Sequence, residues 1–435
     1  MKHFILFLFS FMFFWSCNTV DEVTPIIGTI NVDDLIKPDT VLVLTVSVDP
    51  TYQTGQTDDW IFVNSSNGKV LGWQHFESGD QFDVNAFINT KPSFVTVSVL
   101  QVQETATRTT VNIRSYGRIE RGKNWLLSRL IENKRNSIGN LDIIIQNSPQ
   151  PSLAYFQASD NFGGQSYSSS YNQGTTTIKF TLFEAVSRIG VTISTSTNEI
   201  KYLQIEKPAP VGNYTFDFLY DFASPDHEAL ISLGSNVYVM AVIRGLQDLA
   251  YNRNLRLKGL ALTEAGYLNG IEQVPLGYNN GFPYYYTELT VDKTNYLYRY
   301  EKLGTAPALG NISIPANPIR IDNNSFSAFR ISGGAAYTHL QNFWKWTENS
   351  NGHENILEWS IYSPRDAYPA LTELPVEILS EYPFLDFNHD LLNLDHVSVI
   401  RNFADYSYED MIGELIKEPQ ADYMPHEYEM ITLPD

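Results

Sequence analysis

Cysteine is almost absent from this chain. Cys17 is the only one in 435 residues, so no internal disulfide can form and no zinc can be held by a set of thiolates. Stability must come from packing and backbone hydrogen bonds. Cations are scarce as well: 29 Lys and Arg stand against 49 Asp and Glu, a formal charge of −20. Phosphate binding depends on neutralisation by Lys and Arg, so nucleic acid is not an expected partner. The hydrolase elbow Gly-x-Ser-x-Gly, His-Glu-x-x-His, a phosphate-cradling Gly-Lys-Thr loop and a spaced dinucleotide glycine set are all missing. No cofactor is expected. A glycosidase stays open, because its two carboxylates have no fixed local spacing.

What is present begins with Met1 to Glu22, MKHFILFLFSFMFFWSCNTVDE. Lys2 gives a positive start, and Phe4 to Trp15 is apolar apart from Ser10, the length of a secretory core segment and too short to span a bilayer. With the small residue Ser16 placed before Cys17, the stretch resembles the signal peptides of bacterial lipoproteins. Phe14 departs from that pattern, which places an aliphatic residue three positions before the cysteine. The resemblance implies removal of residues 1–16, lipid attachment at Cys17, and a membrane partner engaged through the anchor. Each buried methylene contributes about 0.8 kcal/mol, and two or more chains hold stably. Asp21 and Glu22 resemble the acidic tag of lipoproteins sent to the outer face of the Gram-negative outer membrane. Residues 17–39, with two prolines and four aspartates, read as a tether.

The body reads as mainly β, with two or three antiparallel sandwich-like domains and few short helices. The first spans 40–147. Thr40 to Val48 fills both faces with aliphatics, Trp60 to Val63 and Lys69 to Trp73 flank Asn67-Gly68 as a hairpin with a type I′ turn, and Gln81 to Phe87, Phe94 to Val102 and Thr109 to Ser115 alternate at spacings near ten residues. Gln146 to Ser152 reads as a linker. A second sandwich-like domain is expected over 153–263, with a Gly, Ser and Tyr loop at Gly163 to Gly174 and a buried strand at Val237 to Ile243. Residues 264–435 form a Tyr- and Asn-rich region. It contains a strand at Ser325 to Ser332 and a hairpin of Leu340 to Trp346 with Ile356 to Tyr362.

Two stretches break the pattern. Arg114 to Arg135 is basic in an acidic chain, with Trp125, Leu126, Leu127, Leu130 and Ile131 near helical spacing, which predicts an amphipathic helix offering cations to acidic glycan or lipid headgroups, or simply a solvated crossover. The tail from Arg401 is acidic. Ser407 and Asp410 form a capping box before Met411, Ile412 and Leu415, and the last residues are expected as an arm, packed or disordered.

Few residues point to chemistry. Asp386-x-Asn388-x-Asp390 begins like a calcium loop, but Leu391 and Val397 occupy the positions of its glycine and glutamate, so no metal is expected. His389 and His396 have acidic neighbours without a third partner. Trp344 and Trp346 sit two apart, so on a strand they share one face, with Trp359 on the partner strand. This face serves equally as a platform for sugar rings or as core. The leading expectation is a surface-anchored binding or assembly module, with glycans or other cell-surface proteins as partners. A polysaccharide hydrolase and a structural adhesin or fimbrial subunit are the alternatives.

Overall fold

The computed structural model describes residues 40–52, 57–87, 93–128, 136–161, 167–184, 186–195, 199–247, 249, 259–268, 271–308, 312–316, 319–334, 336–350, 352–371, 373–403, 407–415 and 426–434. Strands dominate, and the described residues include two short α-helices, α1 (Val376–Glu381) and α2 (Tyr408–Leu415).

Twelve strands hydrogen-bond into one long sheet. In spatial order they are Leu260–Leu268, Tyr238–Leu246, Tyr284–Asp292, Leu297–Gly304, His426–Pro434, Asn393–Asn402, His339–Ser350, His353–Pro364, Arg108–Glu120, Phe94–Glu104, Thr57–Asn64 and Val70–Phe76. Every neighbouring pair is antiparallel except His353–Pro364 with Arg108–Glu120, which run parallel in register Trp359↔Ile113 and Ser360↔Arg114. That parallel seam joins the strands of residues 57–120 to those of residues 339–434. Thr40–Asp435 is accordingly one compact unit, and a division at 264 would cut through the sheet.

The period-two alternation of these strands gives the sheet two faces. One, the tryptophan face, carries Phe62, Leu100, Ile113, Trp359, Trp344 and Val399, all buried in one core. It is covered by the chain on either side of the hairpin, residues 319–334 and 373–392, which contributes Phe326, Phe329, Leu374, Ile378 and Leu385, and by the ribbon of His227–Ser232 with Gln273–Tyr278. Each large apolar side chain buried here contributes roughly 1.5–3 kcal/mol. Asp58 fastens this cover to the sheet, accepting hydrogen bonds from Tyr382 Oη (2.6 Å), Trp60 Nε1 (2.6 Å) and His75 Nε2 (2.5 Å). Burial alone would raise its pKa, but the bonds from Tyr382, Trp60 and His75 hold it below the usual carboxylate range.

The opposite face is covered at one end by a small sheet of Gln81–Phe87, Thr40–Val48 and Lys123–Leu127. Val43, Val46, Val84 and Trp125 from that sheet pack on Ile61, Val63, Val97 and Tyr116 from the long one, forming the first sandwich. A second sandwich sets Tyr167–Asn172, Thr175–Phe183, Ser137–Gln146 and Gly212–Asp217 against Ile200–Glu206, Arg188–Thr195 and Ala154–Asp160. Its core includes Ile143, Ile145, Phe180, Val191 and Ile193. It abuts the long sheet's edge strand, where Ala261 N donates to Ser159 Oγ at 2.8 Å. A Cβ at Gly190 would stand 3.0 Å from Leu260 Cγ, so glycine permits that approach.

Several expectations change. Ser137–Gln146, assigned by sequence to the first sandwich, pairs with Thr175–Phe183 in the second, because Leu141, Ile143 and Ile145 match the core-facing residues there. The helix expected within Arg114 to Arg135 is instead two strands around a turn at Gly122 (φ 81°), and Trp125 and Leu127 are buried at strand spacing, parallel to Thr40–Val48. Residues 129–135 lie outside the described residues. The Asn67-Gly68 hairpin forms, but only Gly68 has positive φ, so the type I′ turn is not adopted. Half of the Gly163 to Gly174 loop is the strand Tyr167–Asn172. Ser325 to Ser332 divides into a 3-10 turn at Phe326–Ala328 and a short strand from Arg330. The expected terminal arm is a strand, His426–Pro434, set between Leu297–Gly304 and Asn393–Asn402. The capping box does form: Asp410 N donates to Ser407 Oγ and Ser407 N to Asp410 Oδ2.

Candidate binding groove

The tryptophan row does not offer exposed indoles. Trp344 and Trp359 face each other across the hairpin, each 1% exposed, with Phe326 packed against both rings at 5.3 and 4.9 Å. Trp359 Nε1 donates to Ser115 Oγ, itself bonded to Ser98 Oγ in the buried layer. Trp346 is half-buried against Phe387, with centroids 4.5 Å apart. The same-face spacing was legible, but the chain on either side of the hairpin, residues 319–334 and 373–392, covers that face. A sugar platform built on Trp344 and Trp359 is therefore excluded, since stacking requires an accessible ring.

The residues between those tryptophans point the other way. On the groove face the register sets Lys345 beside Glu358 and Glu358 beside Asn112, and in the next row Phe343 beside Ser360 and Ser360 beside Arg114. Together with Tyr362 and Asp395 they line a groove of about 400 Å³. Its floor is rigid because each lining residue sits on a strand hydrogen-bonded on both sides. At one end Tyr362 stacks on Tyr116 (5.0 Å, interplanar 13°), and α2 closes over them, Tyr408 Oη donating to the carbonyls of Gly117 and Tyr362. The imidazole of His396 stacks on Phe343, with ring centroids 4.0 Å apart.

Both carboxylates of the groove have a nitrogen partner. Lys345 Nζ stands 3.2 Å from Glu358 Oε1, and Asp395 Oδ2 stands 2.6 Å from His396 Nδ1. Arg114 is exposed, and among the described residues no carboxylate lies within ion-pair distance of it. Its field reaches two phenols: burial pushes Tyr52 up to about 12, with Asp59 adding to the rise and Arg114 opposing it, and burial raises Tyr362, with Arg114 and Gln341 opposing.

The other sequence candidates take structural places. Asp390 accepts from Ser325 Oγ, Ser327 N and Ser327 Oγ at 2.7, 2.9 and 3.0 Å, which pins the cover rather than leaving oxygens for calcium. Among the described residues no three His, Cys, Asp or Glu side chains gather as a metal site. Burial lowers His389 despite its bonds to the carbonyls of Leu385 and Leu371, and its ring packs on Trp359 and Phe326. His353 meets Thr109 Oγ1 at 2.9 Å across the parallel seam. Cys17 lies outside the described residues, and among the described residues no helix is long and apolar enough to cross a membrane.

Sequence reasoning named Arg114 only as part of a basic stretch and did not single out Phe343 or Ser360. The available signal was parity: residues alternating with a buried Trp344 and Trp359 must share the opposite face. Which strands stand beside that hairpin depends on a parallel pairing over more than 240 residues, which no local pattern records.

No family model matches the chain, and no curated protein matches it. Among solved structures it is similar to one titled "The Bacillus anthracis TIE protein", at 13% identity, covering 59% of this chain and 46% of that one, with a TM-score of 0.14. The chain thus spans less than half the length of that protein, and a TM-score this low carries neither fold nor role across.

Proposed function

We propose that this protein is a surface-anchored binding module that takes a saccharide in the groove beside Arg108–Glu120 and the hairpin of residues 339–364. The observation that carries this reading is the groove's composition on a rigid floor. An aromatic ring at Phe343, hydroxyls at Ser360 and Tyr362, the amide of Asn112 and charged groups of both signs line about 400 Å³. Such a space suits a small ligand held by one flat contact and several convergent polar groups. Glu358 is ion-paired with Lys345 at 3.2 Å, an arrangement that supports a polar binding surface.

Isothermal titration of the full chain against a polysaccharide panel tests the reading. Heat is expected with at least one saccharide, weakened tenfold or more in Phe343→Ala, with no reducing sugar released. Absence of heat across the panel overturns the groove reading, and release of reducing sugar replaces it with the hydrolase.

Anchoring through lipid at Cys17, in the outer membrane and facing outward, completes the proposal. Its support is the Ser16-Cys17 pair behind the apolar run of residues 4–15. Palmitate labelling is expected in the wild type and lost in Cys17→Ala, and equal labelling would reject the anchor.

A further inference from the structure

Resting on that groove reading, we infer that the ligand is an acidic saccharide, its sugar carboxylate bound by Arg114. Lys345 is ion-paired with Glu358, and Asp395 is hydrogen-bonded to His396 Nδ1, whereas Arg114 has no carboxylate partner among the described residues. In a chain of formal charge −20, Arg114 is the cation of this groove left without an anionic partner, and an unpaired guanidinium on a concave polar surface is free to take a ligand carboxylate.

The geometry also selects the anion. A guanidinium presents parallel N–H donors that match the two oxygens of a carboxylate in one plane. One unpaired cation balances one charge, which fits the single carboxylate of a uronic acid residue, whose two oxygens match the planar fork; a phosphate monoester, at close to two charges, would call for further cations. Ser360 lies directly beside Arg114 in register and Asn112 two residues before it on the same face, so a hydroxyl and an amide flank the guanidinium where ring hydroxyls next to a sugar carboxylate would fall. Phe343, one strand beyond Ser360, supplies the flat apolar contact for the ring's C–H face.

The test uses the full chain and paired probes: oligogalacturonate, oligoglucuronate and oligomannuronate, each compared with its methyl ester, which keeps the ring and removes the charge. At least one acid form is expected to bind at least tenfold more tightly than its ester at low salt, with that advantage shrinking as salt is raised. In Arg114→Gln, with an unchanged circular dichroism spectrum, acid and ester are expected to bind alike. Equal affinity for acid and ester in the wild type, or a preference that survives Arg114→Gln, overturns the acidic-ligand inference while leaving saccharide binding intact. No heat with acids, esters or neutral saccharides overturns both.

Discussion

Trp344 illustrates how the same residue can be read as ligand platform or as core, and burial decides between them. With 1% exposure and Phe326 and Phe329 packed edge-on at 5.3 and 5.9 Å, Trp344→Ala removes a large side chain from a closed core and is expected to lower stability by about 3–5 kcal/mol. Urea unfolding measures this, and a variant with the wild-type midpoint would place the indole outside the core. Glu301 makes the second residue-scale case. Burial alone would raise its pKa, but the hydrogen bond from His426 (3.0 Å), the Arg299 guanidinium, the charge of His426 and the bond from Tyr428 (2.7 Å) together bring it from 4.5 to about 2. Because the folded pKa is depressed, the native state gains from ionised Glu301 at all pH above 4.5, and that gain is lost as pH falls from 4.5 towards 2. Wild type is expected to lose stability over that window more steeply than Glu301→Gln, as read from urea midpoints at pH 7 and pH 3. Equal losses would show that Glu301 is not the titrating group.

The element that matters most is the last strand. His426–Pro434 pairs with Leu297–Gly304 on one side and Asn393–Asn402 on the other, and it carries side-chain partners to both faces. Glu427 accepts from Tyr300 Oη, Glu429 accepts from Tyr337 Oη, and His426 and Tyr428 hold Glu301. Deleting residues 426–435 leaves two interior strands with unsatisfied backbone groups and buried tyrosines without acceptors. Such a truncation is expected to abolish cooperative unfolding and to aggregate; a soluble truncated chain with the wild-type melting temperature would contradict the central placement. The acidic composition of the tail was plain in the sequence and suggested an arm, packed or disordered. Its Glu-Tyr-Glu alternation gains meaning only beside Leu297–Gly304, whose Tyr-Arg-Tyr-Glu alternation supplies the partners.

At the scale of the whole molecule, the long sheet makes the amino-terminal sandwich dependent on the carboxy-terminal half. Arg108–Glu120 is an interior strand of that sheet, paired with His353–Pro364, and Phe62, Leu100 and Ile113 on its neighbourhood's tryptophan face are buried by residues from beyond 320. A fragment of residues 40–147, though it resembles a complete sandwich by pattern, exposes that apolar face and an unpaired edge. It is expected to be insoluble or to bind hydrophobic dyes strongly, and a monomeric, dye-free fragment with a sharp melting transition would show that the seam is dispensable.

The sequence by itself determined the class and most of the local units. Period-two alternation, turn glycines and β-branched residues sufficed for a mainly β chain, for the Asn67-Gly68 and residues 339–364 hairpins, and for the Ser407 to Asp410 cap, since each depends on neighbours within about a dozen positions. It also carried the lipoprotein-like start at Cys17, a matter of local composition. Tertiary structure alone decided which face of each strand is covered and which strands adjoin. Alternation says that Phe343 and Trp344 point opposite ways, but whether the tryptophan side is core depends on Phe326 and Ile378 arriving from elsewhere in the chain. Arg114 becomes a groove residue only because a parallel pairing, formed by backbone hydrogen bonds that carry no side-chain code, sets it beside Ser360 and within reach of Phe343.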